Sequence, residues 1–426
     1  MTIPLRLAHA GPRAISPVAI ATPSSRVNPV VRGALLLFVF SIPFEMPHRT
    51  FPVETTTVTI LLFLLTTLTA PKASYGKIPA ALLWFALHLW LLAIAALVNK
   101  IEFVERALEH FFALTTLILL MWAMSNLLRD PKVLRQVLVT TVIACTLRGV
   151  MQILGIGATH YSVWSGGERT SLFGQNANLS AMILSAGIVT CVGLLMAPAR
   201  WLPNPKLFVV PTCAAMGWSA IETGSRGGLL CAMLGLVVFL FAGRTVKTRI
   251  RNVVLGVAAM AAIVFGVTQS AMMRARFAES ENGKMAGREV IYPALMAMVA
   301  ERPLFGWGPI DNQFEIARRI HERNAKRPSR DAHNIFGELF TTSGVIGAVP
   351  FLFGLALTFG SAWRARTGAM GWFPLALLVA VFTGCISGTW IASKLLWFVF
   401  GIVLAAGTWW ASPSTIDDWT VESCAV

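Results

Sequence analysis

Apolar runs of about 17 to 24 residues recur along almost the whole chain, with short polar connections between them. Each run is long enough to carry a helix across ~30 Å of hydrocarbon. They fall at 31–47, 52–71, 77–98, 108–128, 134–157, 177–197, 206–222, 226–243, 251–270, 344–363, 371–388 and 391–411. Unbroken apolar stretches fit helices, whose backbone hydrogen bonds close within the segment, whereas strands of a membrane barrel alternate apolar and polar positions. The pattern predicts an all-α polytopic membrane protein with about 12 transmembrane helices.

The runs divide the chain into a tail at 1–30, spans one to nine over 31–270, a polar insertion at 271–332, spans ten to twelve over 333–411 and a short acidic tail at 412–426. No apolar core followed by a small-residue cleavage site occurs in the first tail, which reads as a cytoplasmic tail ahead of a self-inserting first span. Within the insertion, "GREVIYPALMAMVAERP" sets Ile291, Leu295, Met298 and Val299 at i, i+4, i+7 and i+8, which predicts an amphipathic helix at the membrane surface. Gly306, Gly308 and Pro309 then mark a turn. A second helix is expected from about Asp311, as its N-cap, to Ala325. The next begins after Pro328 with Ser329 or Asp331 as cap, which puts His333 in its first turn and lets Asn334 and Glu338 meet at i,i+4.

Composition agrees with the pattern. The chain is 56% hydrophobic and 13% charged with a mean hydropathy of +0.68, where a soluble domain carries roughly 25% charged residues. The net charge of +15 gives little reason to invoke nucleic acid, because it follows topology. With the N-terminus inside, the inner side collects Arg6, Arg13, Arg26, Arg32, Lys72, Lys77, Arg129, Lys132, Arg135, Arg200, Lys206, Arg244, Lys247, Arg249, Arg251, Arg364 and Arg366, against Arg49, Lys100, Arg106, Arg169 and Arg226 in short outer loops. The insertion, with eleven Lys or Arg and eight Asp or Glu, is then a large outer loop between spans nine and ten. Cys145, Cys191, Cys213, Cys231, Cys385 and Cys424 all avoid it, so no disulfide framework is implied.

Ionisable groups in or beside spans are expensive and are candidates for function. Arg148, Glu222, Arg226, Glu338 and Lys394 all fall in the outer half, the distribution that one outward-facing polar cavity produces. Arg226 alone reads first as an arginine snorkelling from a helix end. Its setting "ETGSRGG" adds Gly224, Gly227 and Gly228 for close backbone approach and Ser225 as a helix cap, which makes an anion site. Lys394 alone reads as an anchor, Arg288 as a loop arginine, His88 and His110 as packing histidines with local hydrogen bonds, and His321 as part of a solvated helix face. A first-turn His333 feels the positive helix end and nearby arginines, and both favour the neutral imidazole that a general base for a hydroxyl requires; the competing reading is a capping histidine. Metal chemistry finds no support: "FEMPHRTFPVE" separates Glu45 from Glu54, and neither HExxH nor Cys/His ligand spacing occurs.

Four segments in order, "ERTSLFGQNANLSAMIL", "GSRGG", "GREVIYPALMAMVAERPLFGWGP" and "HNIFGELFTTSGVIG", resemble the bacterial O-antigen ligase and polymerase superfamily over about 160–390. The resemblance implies an inner-membrane glycosyltransferase without cofactor or metal. It would move a glycan from an undecaprenyl-diphosphate-linked O-antigen donor to a lipid A core acceptor at the periplasmic face. Arg226 and Arg288 would bind the donor diphosphate and His333 would be the catalytic histidine. Arg169, Asn176 and Asn178 match the polar motif before span six, and Arg148, Glu338 and Lys394 are accessory candidates by position. Twelve spans with the large loop between nine and ten suit a ligase; an O-antigen polymerase is the alternative. The short tail at 412–426 disfavours the longer protein O-oligosaccharyltransferases. A lipid or sugar transporter is a remoter rival, against which stand the missing internal repeat and the one-sided charges.

Overall fold

The computed structural model describes residues 27–46, 54–162, 168–196, 205–243, 245–281, 287–320 and 329–413. Most of both tails, Arg49, His321, the expected helix end at Ala325 and Cys424 lie outside the described residues. In chain order the helices are α1 (Pro29–Ser41, continued by a 3-10 turn to Phe44), α2 (Thr55–Thr67), α3 (Pro71–Tyr75), α4 (Ala80–Asn99), α5 (Val104–Leu127), α6 (Pro131–Ile153), α7 (Ala177–Met196), α8 (Pro205–Glu222) and α9 (Arg226–Leu240). They continue as α10 (Val246–Gln269), α11 (Ala271–Glu281), α12 (Arg288–Glu301), α13 (Asp311–Arg319), α14 (Ile335–Ala365), α15 (Phe373–Ile386) and α16 (Lys394–Trp409). An antiparallel hairpin of β1 (Ala158–Ser162) and β2 (Glu168–Leu172) sits between α6 and α7, pairing Tyr161 with Arg169.

A helix occupies each of the twelve expected apolar runs. Six of them (α4, α5, α6, α7, α10 and α14) are long and apolar enough to cross a bilayer by length and composition. The α1 segment, α2, α9, α15 and α16 are shorter apolar helices. The chain is thus a multi-helix membrane protein. The expectation of an all-α chain needs one correction, the hairpin, which Gly155 and Gly157 open with left-handed φ of 73° and 69° in a segment that the apolar run had absorbed.

Helix ends sort into two sets. At one end, Trp409 Nε1 donates to the Ser125 carbonyl, Trp410 Nε1 to Leu128 and Asn126 Nδ2 to Lys77, which ties the start of α4 to the ends of α5 and α16. At the other, α8 ends, α9 begins, α15 ends and α14 begins, and there the candidate residues gather. Between them α7 is the central helix, 78% of its apolar window buried, and α10 is peripheral at 11%. Aromatic packing joins α4, α14 and α16: Phe85 lies 5.3 Å from Phe351, 5.1 Å from Trp397 and 5.4 Å from Phe400 between ring centroids. Where α7 and α9 cross, a Cβ on Gly228 would run into Ala181, so the glycine sets how closely the two helices approach. His88 is a packing residue, but its bond is not local: Nδ1 meets the Gly347 carbonyl of α14 at 2.8 Å.

One long helix is broken and repaired. At Gly344, with φ 60° and ψ −165°, α14 leaves helical geometry. The turn after α12 patches the gap: Trp307 and Gly308 donate their N–H groups to the carbonyls of Thr341 and Thr342 at 2.7 and 3.0 Å, while Val345 and Ile346 donate to Pro303 and Leu304 at 2.8 and 3.2 Å. Buried backbone groups freed by a break must find partners inside the protein, and "PLFGWG" supplies them. A short helix at 335–343 is thereby set off from the longer one that follows.

The insertion differs from expectation in four further respects. Ser270 ends α10 and its Oγ accepts from the Met273 N–H, so α11 starts at once where a loop was expected. The stripe of Ile291, Leu295 and Met298 packs on Ile316 and Ala332, against α13 and the start of α14, and so does not face outward. Asp311 is the first residue of α13, with Ile310 at the cap position; its carboxylate accepts from the Glu102 and Phe103 N–H groups and fixes the α4–α5 connection. Finally Asn334, not Ser329 or Asp331, caps α14, accepting from the N–H groups of Phe336 and Gly337 at 2.8 and 3.0 Å. His333 therefore precedes the helix.

Candidate functional site

Arg226 opens α9, and its place is fixed from behind. Ser225 caps the helix, its Oγ accepting from the Gly228 N–H. The same hydroxyl donates to Asn178 Oδ1 at 2.9 Å, and Asn178 Oδ1 also accepts from Arg169 Nη2 at 2.9 Å. Arg169 Nε donates to the Thr223 carbonyl at 2.7 Å, and Asn176 Oδ1 accepts from the Asn178 N–H at 2.8 Å. Arg169, Asn176 and Asn178, three candidates from the motif before α7, thus form a brace for the Thr223–Ser225 turn. In front, Arg226 Nη1 donates to the Arg276 carbonyl at 2.5 Å and to the Ser280 hydroxyl, both on α11.

Arg288 is the first residue of α12, which starts from Gly287 in the left-handed region at φ 87°. Its Nη2 donates to the Ser387 carbonyl at 2.5 Å, and its Nε is buried with no partner among the described residues. His333 also has a left-handed backbone, φ 51°, costly for a non-glycine residue. Its N–H donates to Thr389 Oγ1 at 3.0 Å, and the neighbouring Asn334 Nδ2 donates to the Ile386 carbonyl at 3.1 Å. A Cβ on Gly227 would stand 2.8 Å from Ser387 Oγ. Residues 386–389, at the end of α15, therefore touch the surroundings of Arg226, Arg288 and His333 in turn. That strip joins three candidates that lie far apart in sequence.

Their charges also interact. The Arg226 guanidinium feels Arg276, Glu279 and Arg288, while His333 feels Asp331, Arg288 and Arg330. Arg288 is common to both sets. Burial, the largest influence, pushes His333 below the usual imidazole range; Asp331 opposes it, and Arg288 and Arg330 reinforce it. The neutral imidazole expected from sequence is supported, but desolvation and arginine charge are its causes, since His333 is not in the first helical turn.

The other candidates have different partners. Arg148 is fully buried, donating from Nε to the Pro43 carbonyl at 2.9 Å and from Nη2 to Gln175 Oε1 and Ser180 Oγ at 3.0 and 2.7 Å. Lys394 pairs with Glu45 at 2.5 Å and with Glu54. Gln175 Nε2 donates to the Glu45 carbonyl at 2.6 Å, so these residues make one network around the 3-10 turn after α1. Glu338 is buried, accepting from Asn312 Nδ2 at 3.2 Å, and does not meet Asn334 through its side chain. Glu222 accepts from Trp218 Nε1 at 2.9 Å. A void within the bundle, lined by Val39, Cys145, Ile183, Leu377, Leu395 and Phe398 among others, is mostly apolar, and none of these charged residues lines it. Among the described residues, no group of three His, Cys, Asp or Glu side chains is arranged to hold a metal ion.

Sequence reading missed Arg276 and Ser280 on α11, and Ser387 and Thr389 after α15. A signal for α11 was present in Ser270, a capping residue type just ahead of "AMMRARFAES". For Ser387 and Thr389 the only hint was polarity in a short connection between apolar runs.

Comparison with known proteins bears on this arrangement. No curated protein gives a significant match to the chain. Residues 211–352, about a third of its length, match the family model described as O-antigen ligase. That segment runs from within α8 to just beyond the break in α14, and it contains Arg226, Arg276, Arg288 and His333. The matched region coincides with the arginine and histidine cluster and supports membership of the O-antigen ligase superfamily.

Proposed function

We propose that the protein is an O-antigen ligase that transfers a glycan from undecaprenyl diphosphate to a hydroxyl of the lipid A core, working at the periplasmic face of the inner membrane. The observation that carries this reading is the shared position of Arg288, in electrostatic range of both Arg226 and His333. Two arginines suit the two phosphates of the donor, because guanidinium forks match phosphate oxygens bidentately. They also stabilise the negative charge that builds on the diphosphate as it leaves.

The acceptor hydroxyl oxygen attacks the anomeric carbon, and the bond from that carbon to the diphosphate oxygen breaks. The electron pair leaves with undecaprenyl diphosphate. The hydroxyl proton passes to a ring nitrogen of His333, whose neutral form at pH 7 leaves that nitrogen free to accept it. A single displacement inverts the anomeric centre. Cationic side chains supply the charge needed at the leaving group, so transfer is expected to persist in EDTA. Arg148, Lys394 and Glu338 have a supporting part in this scheme, holding the turn after α1 and the seat of α13.

Reconstitution of the full chain in liposomes with purified carrier-linked glycan and lipid A core tests the reading. Glycosylated lipid A core should form with the wild type and be lost with His333→Ala. Lengthening of the carrier-linked glycan with the core unmodified would identify a polymerase of the same superfamily instead.

A further inference from the structure

Helix α11 lies over Arg226 and brings a third guanidinium to the cluster. Its Arg276 carbonyl and Ser280 hydroxyl accept from Arg226 Nη1. The Arg276 side chain is mostly buried at 13% exposure, and its Nη1 pairs with Glu279 Oε2 at 2.5 Å. Its Nε is buried without a partner among the described residues, as is that of Arg288. Arg226 stands in electrostatic range of Arg276, Glu279 and Arg288 together. Three guanidinia against one carboxylate leave an excess of two positive charges in a partly buried place. A diphosphate diester carries two negative charges, one on each phosphate.

We propose that Arg276 is a third ligand of the donor diphosphate and that Glu279 holds its place while the site is free. This rests on the donor-binding reading of Arg226 and Arg288 given above. On binding, a phosphate oxygen takes over the Arg276 donors now given to Glu279 or left unused at Nε. Arg226 exchanges its contacts on α11 for phosphate oxygens, so α11 shifts as the donor enters. Glu279 competes with the donor for Arg276, and the competition releases Arg276 from a strong ion pair only when an anion arrives.

A water-soluble short-chain prenyl diphospho-sugar, which keeps the diester with its two charges, is the probe, titrated calorimetrically into the full-length protein in nanodiscs at fixed ionic strength. Arg226→Ala and Arg288→Ala should each weaken binding by at least about tenfold, and Arg276→Ala by about tenfold. If Arg276→Ala does not fold, Arg276→Lys, which keeps the charge and loses the fork, should weaken binding about threefold. Glu279→Gln should tighten binding by about threefold or more in the wild-type background and by much less alongside the Arg276 substitution. Unchanged binding in the Arg276 variants, with binding weakened by Arg226→Ala and Arg288→Ala, would overturn the assignment of Arg276 and leave the donor reading standing. Unchanged or weaker binding in Glu279→Gln would overturn the competition. Failure of the wild type to bind the probe, or indifference to all three arginines, would sink the donor reading itself.

Discussion

Arg288 donates from Nη2 to the backbone carbonyl of Ser387 at 2.5 Å, which fastens the first residue of α12 to the end of α15. One arm of the guanidinium is thereby used for position, and the remaining N–H groups are left for a ligand. Lysine has one ammonium and no fork, so it cannot hold the carbonyl and meet a phosphate bidentately at once. Arg288→Lys is therefore expected to lower kcat/KM for the lipid-linked donor by about tenfold to a hundredfold, or ~1.4 to 2.7 kcal/mol, with the melting temperature little changed. Steady-state transfer assays on the purified variant check this; near wild-type kinetics would mean that charge alone suffices.

Asn178 offers a test of position separated from charge. Its Oδ1 accepts from both Arg169 and Ser225, the latter being the residue just before Arg226. Asn178→Ala removes that shared acceptor and with it one charge-assisted hydrogen bond of Arg169, a change of about 1.5 to 3 kcal/mol. The donor KM should rise more than kcat falls, because the loss loosens the turn that aims Arg226. Asn178→Asp keeps an oxygen for both donors and should restore most of the KM. If alanine and aspartate behave alike, the brace has no bearing on Arg226.

Apolar run lengths located every helix of the bundle, because burial in hydrocarbon imposes a length that a sequence shows directly. Arg226, Arg288 and His333 were legible for a different reason: each sits in a short motif of distinctive residues. What brings them together was not. Ser387 and Thr389 act through a backbone carbonyl and a small hydroxyl, groups that nearly every loop possesses, and their meaning comes only from a register fixed by the packing of α15 on α9 and α14. The cap of α14 was misplaced for a similar reason. Asp331, His333 and Asn334 all suit a helix start, and the choice fell to Asn334 because His333 is held in a left-handed conformation by Thr389, a residue 56 positions away.

Gly344 gives the fold its sharpest sensitivity. A Cβ there would collide with the Leu304 carbonyl, and φ of 60° with ψ of −165° lies in a region that essentially only glycine adopts. Gly344→Ala should expel the "PLFGWG" turn from the break in α14 and leave the carbonyls of Thr341 and Thr342 without donors. A loss of ~2 to 4 kcal/mol is expected, seen as a fall in melting temperature in detergent or as loss of folded yield. Gly33→Ala is the control, since a Cβ on that residue of α1 meets nothing within 4 Å. Equal behaviour of the two variants would show that the break does not depend on this turn.

Protonation of His333 sets the last prediction. Burial lowers its affinity for protons, Arg288 and Arg330 lower it further, and Asp331 works the other way. A general base acts in the neutral form, so transfer should be insensitive to pH near 7 and fall as acid protonates the imidazole, with the acid limb below the ordinary histidine value of about 6.5. The neighbours make the assignment specific, because their removal should move that limb in opposite directions. Arg330→Gln takes away a positive charge, makes protonation easier and should shift the limb upward. Asp331→Asn takes away the negative charge that favours the imidazolium and should shift it downward. The profile of kcat/KM for the acceptor, recorded for wild type and both variants under donor saturation, reads the free imidazole. Parallel shifts, or none, would indicate that the acid limb belongs to another group and that His333 is not the base.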